Sequence, residues 1–300
     1  PDRIPCAIKF KTEEGDQFSR LYSSEMIGLI ESLNLPRYGL INYYDESKAT
    51  GITKQEQLII DNLSKAGKRM MGFCKSTFFK RIDSSGFSFL LTVYRHILRN
   101  AVFIYAIDNK LPLPIGDENN LPEEFLEDED TNETFFENED NNDAVCERGQ
   151  EIIFPTDMKV YMAKAKEYYD IISHKNNLSW INHKYFKRTL KQQLNKDCVT
   201  LIDMLKLCGN WNADNDQKLI ELHDLLEQKH SKDKVLVFTQ YSDTAKYIYR
   251  HLKRMGVEKI ACVTGNSQNP TSDVEHFSPL SNEKNYSMDE QYRVLIATDV

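Results

Sequence analysis

The last third of the chain carries its most constraining pattern. From residue 234 the sequence reads KVLVFTQY, then DTAKYIYRHLKRMG, then KIACVTG, a short helical stretch near Asp273 to Phe277, and finally RVLIATDV. Short β-rich apolar runs alternate with segments of helical spacing, which predicts βαβ organisation around a parallel sheet. The strands are apolar throughout rather than alternating, as expected when helices cover both faces. In the helix after Tyr241, Ala245, Ile248, Tyr249, Leu252 and Met255 are expected on the sheet side, with Lys246, Arg250 and Lys253 outward. Gly256 ends it. The chain stops on the final strand and opens on Pro1 without an initiator Met, so a piece of a longer protein is expected.

The upstream part reads as mostly helical. A strand is expected over IPCAIKFKT, followed by a helix capped by Asp16 and running through Leu33. Thr53 to Met71 repeats apolar residues at helical spacing. Ser84-Ser85-Gly86 breaks the chain before FSFLLTVYRHILRNAVFIYAI, Phe87 to Ile107. That run has spanning length, but Arg95, His96, Arg99 and Asn100 at its centre are costly in hydrocarbon, so a helix buried in protein is expected and not a membrane span. PLPIG, Pro112 to Gly116, is expected to end it. Helices resume over Thr156 to Ser173 and His183 to Cys208, and an amphipathic helix covers Gln217 to Lys229.

Charge divides the chain. Asp117 to Glu147 holds fourteen acidic residues and no Lys or Arg; removing those fourteen from the net −8 leaves +6. The acidic stretch is expected to be a flexible insert and the rest mildly basic, compatible with nucleic acid without demanding it. DEDT at Asp128 lacks the apolar strand that an ATPase acidic motif requires in front of it. The six cysteines show no CxxC spacing, which argues against a zinc site and a disulfide scaffold and for reduced thiols in an intracellular protein. The expected order is therefore 1–116 strand plus helical region, 117–150 acidic insert, 151–212 helical connector and 213–300 α/β domain.

In open α/β sheets the working residues lie just past the strands' C-terminal ends. That rule selects Thr239-Gln240, Thr264-Gly265 and Thr298-Asp299. Their short polar groups can meet phosphates or a partner domain, or simply cap the next helix. Two basic stretches could touch nucleic acid. Lys65 to Arg81 holds six cations and no acid, interleaved with Phe73, Phe78 and Phe79. Lys184, Lys187, Arg188 and Lys191 repeat at i, i+3, i+4 and i+7, which on a continuous helix is one cationic face beside Phe186, Leu190 and Leu194. Rows of this kind bind phosphate backbones without sequence preference, and are also found as ordinary solvated faces. His96, Trp180 and Trp211 read as core residues.

KVLVFTQYSDTAKYIYRHL, VTG and RVLIATDV together resemble the second RecA-like domain of superfamily 2 helicases. DQKL, Asp216 to Leu219, resembles the element that introduces this domain in Swi/Snf-type ATPases. KRMMGFCKSTFFKRIDSSGFSFLL resembles the helical region of a bacterial branch of those proteins, and RIPCAIKFKTEEGDQFSRLY the exit from the first motor lobe. The resemblance implies a bacterial, cytoplasmic ATP-driven motor with ATP and Mg2+ in the cleft between two RecA-like lobes and DNA or RNA across both. It assigns motif IV to Phe238, Thr239 and Gln240, and the start of motif V to Thr298, a phosphate contact, and Asp299, which couples the lobes. Thr264 and Gly265 would lie beside the nucleic-acid track. The implied fold is α/β, a mostly helical N-terminal region followed by an incomplete RecA-like parallel sheet, with the first RecA-like lobe of the parent as partner. There is no GxxxxGK[ST], no strand-borne acidic pair for Mg2+ and no arginine-bearing motif VI, so the 300 residues alone are expected to be inactive and to bind no metal. The alternative is a non-enzymatic module that binds nucleic acid or protein.

Overall fold

A computed structural model describes residues 7, 16–116, 146–148, 151–174, 178–265 and 267–298, with backbone alone at 65–71, 116 and 146–148. The expected strand over IPCAIKFKT and most of the acidic stretch lie outside the described residues.

The fold is mixed α/β, with a helical body and a small parallel sheet. The helices are α1 (Gln17–Leu21), α2 (Ser24–Ser32), α3 (Lys54–Ser84), α4 (Gly86–Asp108), α5 (Met158–Ser173), α6 (Thr189–Cys208), α7 (Gln217–Asp224, continued by a π turn Leu225–Lys229), α8 (Ser242–Arg254) and α9 (Pro270–Phe277). The strands are β1 (Pro112–Gly116), β2 (Cys146–Arg148), β3 (Glu151–Ile153), β4 (Ser179–Asn182), β5 (Trp211–Asn212), β6 (Val235–Phe238), β7 (Ile260–Val263) and β8 (Val294–Ala297).

Helix α4 is the axis of the helical body. Eighteen of its 23 residues are buried, from Gly86 to Ala106. Helices α3, α5 and α6 pack around it. Its central polar residues are absorbed by neighbours. Arg37 donates to Asn100 Oδ1 at 2.8 Å and lies 3.2 Å from His96 Nδ1. A guanidinium only donates, so His96 accepts at Nδ1. Asp197, 1% exposed, accepts from the Asn34 and Leu35 backbone N–H groups at 3.0 and 2.7 Å. No helix among the described residues is long and apolar enough to cross a membrane.

Three sequence expectations change. The helix capped by Asp16 divides in two, because Ser23 accepts from Met26 N at 3.1 Å and starts α2. PLPIG does not end α4. Lys110, at φ 58°, turns the chain left-handed, and Leu111 N donates back to Ala106 O at 2.8 Å, a Schellman-type closure. PLPIG then forms β1, antiparallel to β4, where its prolines are tolerated in a two-stranded ladder. The hairpin of β2 and β3 crosses the boundary drawn at 150 and pairs with β5, so the end of the acidic stretch shares a sheet with the connector. Elsewhere Thr53 closes a capping box with Glu56 at the head of α3, and Ser85 breaks α3 from α4.

The parallel sheet has order β6-β8-β7. Central β8 is buried on both faces, as its unbroken apolar run requires. Strand β6 is not: Leu236 is 43% and Phe238 66% exposed, so one face of this edge strand is open.

Gly86 marks where the helical body meets the connector. A Cβ built there would lie 2.2 Å from Trp211 Cη2 and 2.7 Å from Leu21 Cδ1. Trp211 is 1% exposed, its ring edge-on to Phe18 at 5.4 Å, so it cannot step aside. Gly to Ala ordinarily favours a helix by about 1 kcal/mol. Here Gly86→Ala is expected to destabilise by about 1–3 kcal/mol through overpacking, read as a lower urea midpoint; a raised midpoint would show that the indole has room to move.

Candidate functional site at the strand exits

Parallel pairing brings three of the expected positions to one edge. Thr239 N donates to Ala297 O at 3.0 Å, and Thr298 N donates to Val263 O at 3.1 Å. The three strand exits therefore lie side by side in the order Thr239, Thr298, Thr264. Thr264 N donates to Ser267 Oγ at 2.9 Å, which folds the loop after β7 back on itself. Thr264 and Thr298 are 5% and 9% exposed. The Thr298 hydroxyl is buried with no hydrogen-bond partner among the described residues. A buried hydroxyl without a partner costs free energy on the order of 1–3 kcal/mol, so no described residue satisfies this edge. Phe238, Gln240 and Gly265 are exposed around it. Asp299 lies outside the described residues.

Beneath the first exit runs a polar seam that the sequence reading missed. Asp243, in the first turn of α8, is 5% exposed and faces two arginines from the helical body. Arg95 of α4 binds it through two nitrogens, at 2.6 and 3.0 Å, and Arg81 of α3 adds a third bond at 3.1 Å. Burial pushes the Asp243 pKa up, but the Arg95 and Arg81 charges outweigh it and hold the carboxyl below its usual range. The Arg81 guanidinium also lies 3.8 Å from the Tyr241 ring centroid. Ser84 and Ser88 each place Oγ 2.9 Å from Thr244 Oγ1, and Ser84 Oγ is 3.4 Å from Thr239 Oγ1. The Ser-Ser segment thus abuts the first strand exit.

The seam continues down α8. Tyr247 stacks on Phe87 at 4.8 Å and 16°, receives Trp211 Nε1–H at 3.0 Å and donates to Asp216 Oδ2 at 2.9 Å. Asp216 also caps α7 through Leu219 N. Its burial raises its pKa. His251 lies on Tyr247, with ring centroids 4.5 Å apart, and its Nε2 is buried without a partner among the described residues. Helix α8 therefore buries two faces. Ala245 and Leu252 are buried, whereas Met255 is 40% exposed; Asp243 and Tyr247, four residues apart, meet the helical body, and His251, four further on, is buried against Tyr247. That second stripe was the available signal: polar and aromatic residues at i, i+4 and i+8 on a helix whose other outward positions are Lys246, Arg250 and Lys253.

The cationic row is not one helix face. A 3-10 turn over His183–Tyr185 and extended Phe186 interrupt it, and α6 begins only at Thr189. The interruption follows from Phe186, which is buried and bridges to Tyr44, and from Lys187 N, which donates to Tyr43 O at 2.8 Å. Lys191 is bound to Asp108. Lys184, Lys187 and Arg188 remain exposed. In the other basic stretch, Arg81 is 1% exposed and committed to Asp243, so it does not serve a surface contact. Among the described residues no group of three or more His, Cys, Asp or Glu side chains could hold a metal ion. Among the described residues Cys74, Cys198 and Cys208 are buried and form no disulfide, with burial pushing Cys198 and Cys208 up to about 12.

Two outcomes follow for the seam. Asp243→Ala leaves two arginine charges without their carboxylate and is expected to cost about 3–5 kcal/mol, measured by urea unfolding near neutral pH; a cost below about 1 kcal/mol, the range of exposed pairs, would mean the pair is solvated. His251 is held down to about 4 from the ordinary 6.5, by burial first and then by Arg250 and Arg254. Between those values the unfolded chain takes up the proton and the folded chain does not, so stability falls as pH drops through that window. Asp243 has the opposite state at stake: its contribution persists above the unfolded carboxylate pKa of about 4 and is lost below it. His251→Phe keeps the ring on Tyr247 and is expected to flatten the change in urea midpoint between pH 6.5 and 5; an unchanged slope would exonerate His251. Protein-family models, known proteins and solved structures give no match to this chain.

Proposed function

We propose that this chain is part of an ATP-driven nucleic-acid motor of the superfamily 2, Swi/Snf-like kind, with the strand-exit edge as the face turned toward phosphates. The observation that carries this reading is the row Thr239, Thr298, Thr264 at the C-terminal ends of three adjacent parallel strands, with the Thr298 hydroxyl buried and without a partner among the described residues. An oxyanion delivered to that edge satisfies the hydroxyl and accepts from it directly. In this reading Phe238, Thr239 and Gln240 form the first loop of the cleft, and Thr298 and Asp299 the loop that meets the nucleic-acid backbone. The contact of Ser84 and Ser88 with Thr239 and Thr244 supports it further, because it joins two of the sequence segments that carry the resemblance. ATP supplies the phosphoryl group whose transfer drives such motors, and Mg2+ neutralises its charge. The 300 residues contain no GxxxxGK[ST] string, so both rest on the first RecA-like lobe of the parent chain.

A second reading, a module that binds nucleic acid or protein without turnover, is favoured by one observation. The arginine and serines of the Ser-Ser segment are consumed by internal packing, as in a scaffold. ATP hydrolysis by the longest natural form of the protein, with and without duplex DNA, separates the two. Stimulation by DNA is expected, together with no turnover by the 300 residues alone. Turnover absent under both conditions would replace the motor with the binding module.

A further inference from the structure

The basic residues that the sequence aligns on one helix are distributed by the fold over two elements, and the fold adds another cation to them. Pro112 of β1 is paired with Asn182 of β4, so the turn at Lys110–Leu111 lies against His183–Lys184. The His183 ring lies in the same corner: burial first, and then the Lys110 and Lys184 charges, lower its pKa. Lys110 is held outward by its left-handed backbone at the end of α4. Lys187 and Arg188 follow on the short link into α6, and both are exposed. None of these four has an ion-pair partner among the described residues. The neighbouring carboxylates are committed elsewhere. Asp108 holds Lys191, Asp45 holds Lys48 and Ser47, and Glu56 accepts from Thr53 and Tyr185.

We infer that Lys110, Lys184, Lys187 and Arg188 form a docking surface for a nucleic-acid backbone, built from the α4–β1 turn and the β4–α6 link rather than from a helix face. The inference rests on the nucleic-acid half of the proposed function and names where the polyanion lies on the helical body. The four cations are mounted on backbone fixed by a strand pair, a buried Phe186 and the Lys187–Tyr43 hydrogen bond, so their spacing is set by the fold. A fixed array of cations without ion-pair partners among the described residues favours a polymer of evenly spaced phosphates and carries no base-reading group, so binding is sequence-blind and salt-sensitive. Lys191, the fourth residue of the sequence pattern, is excluded by its bond to Asp108.

The test is fluorescence anisotropy of a labelled duplex titrated with the 300-residue chain over a series of salt concentrations. Lys110→Glu with Lys184→Glu is expected to weaken binding by about tenfold or more at low salt and to reduce the slope of log affinity against log salt by about 2. Lys187→Gln with Arg188→Gln, a milder pair at exposed positions, is expected to act in the same direction. Lys206→Glu with Lys229→Glu makes the same change in net charge on other elements and is expected to leave the slope unaltered. Equal loss in the Lys110/Lys184 and Lys206/Lys229 variants would overturn the inference, because net charge alone would then account for binding. Tight binding to polyglutamate with none to the duplex would overturn it in favour of an acidic protein partner. Intact patch-dependent DNA binding beside absent ATP turnover would remove the motor and leave the surface standing.

Discussion

The carboxylate of Asp243 is the point through which the two halves of the chain are joined. A buried aspartate is tolerated only with compensating charge and hydrogen bonds. Here Arg95 supplies a bidentate grip and Arg81 a further bond, each from a different helix of the body. Because Asp243 opens α8, holding it fixes the start of the helix that lies on the sheet. The strand exit at Thr239, four residues earlier, is fixed with it. Ser84, Ser88 and Thr244 extend the same register, and the Trp211–Tyr247–Asp216 chain repeats it one turn further along. The helical body and the parallel sheet thus meet through a polar seam set into a shared apolar core. Such a contact specifies orientation more sharply than apolar area does, since a rotation of α8 would leave the charges unpaired.

Much of the architecture was legible in the sequence. The periodicity of α3, the capping box at Thr53, the break at Ser85 and the buried character of α4 are all local signals that the fold obeys. The alternation after residue 234 gave the parallel sheet. Its strand order, with β8 between β6 and β7, is not a local property and could not be read from spacing. The misreadings have a common cause. PLPIG, the Asp16 helix and the cationic row were each judged from side-chain pattern, and each was decided by backbone groups finding partners: Leu111 N on Ala106 O, Met26 N on Ser23, Lys187 N on Tyr43 O. Periodicity describes which face is apolar and is silent on where the hydrogen-bond ladder stops.

At the candidate site the sequence located the edge but not its support. Thr239, Thr264 and Thr298 follow from a general rule of parallel sheets. Arg81 looked like one cation among six in a basic run, and Arg95 like a misplaced charge in an apolar helix. Both are resolved by Asp243, which no spacing argument connects to them. Pairing between distant segments is invisible in a single sequence, whereas a charged residue at the centre of an apolar helix is a reliable request for a partner somewhere.

That partner is far away along the chain. Asp243 is 162 residues from Arg81 and 148 from Arg95. Chains are synthesised from the N-terminus, and domains form as their residues emerge. Helices α3 and α4 are therefore complete long before the residue that neutralises them exists. Until α8 arrives, the helical body has two arginines and the face of Phe87 toward water, a surface too polar to collapse on itself and too apolar around Phe87 to be inert. The seam is filled last, so the loss of protection at Arg81 and Arg95 is the first thing a nascent or truncated chain would reveal.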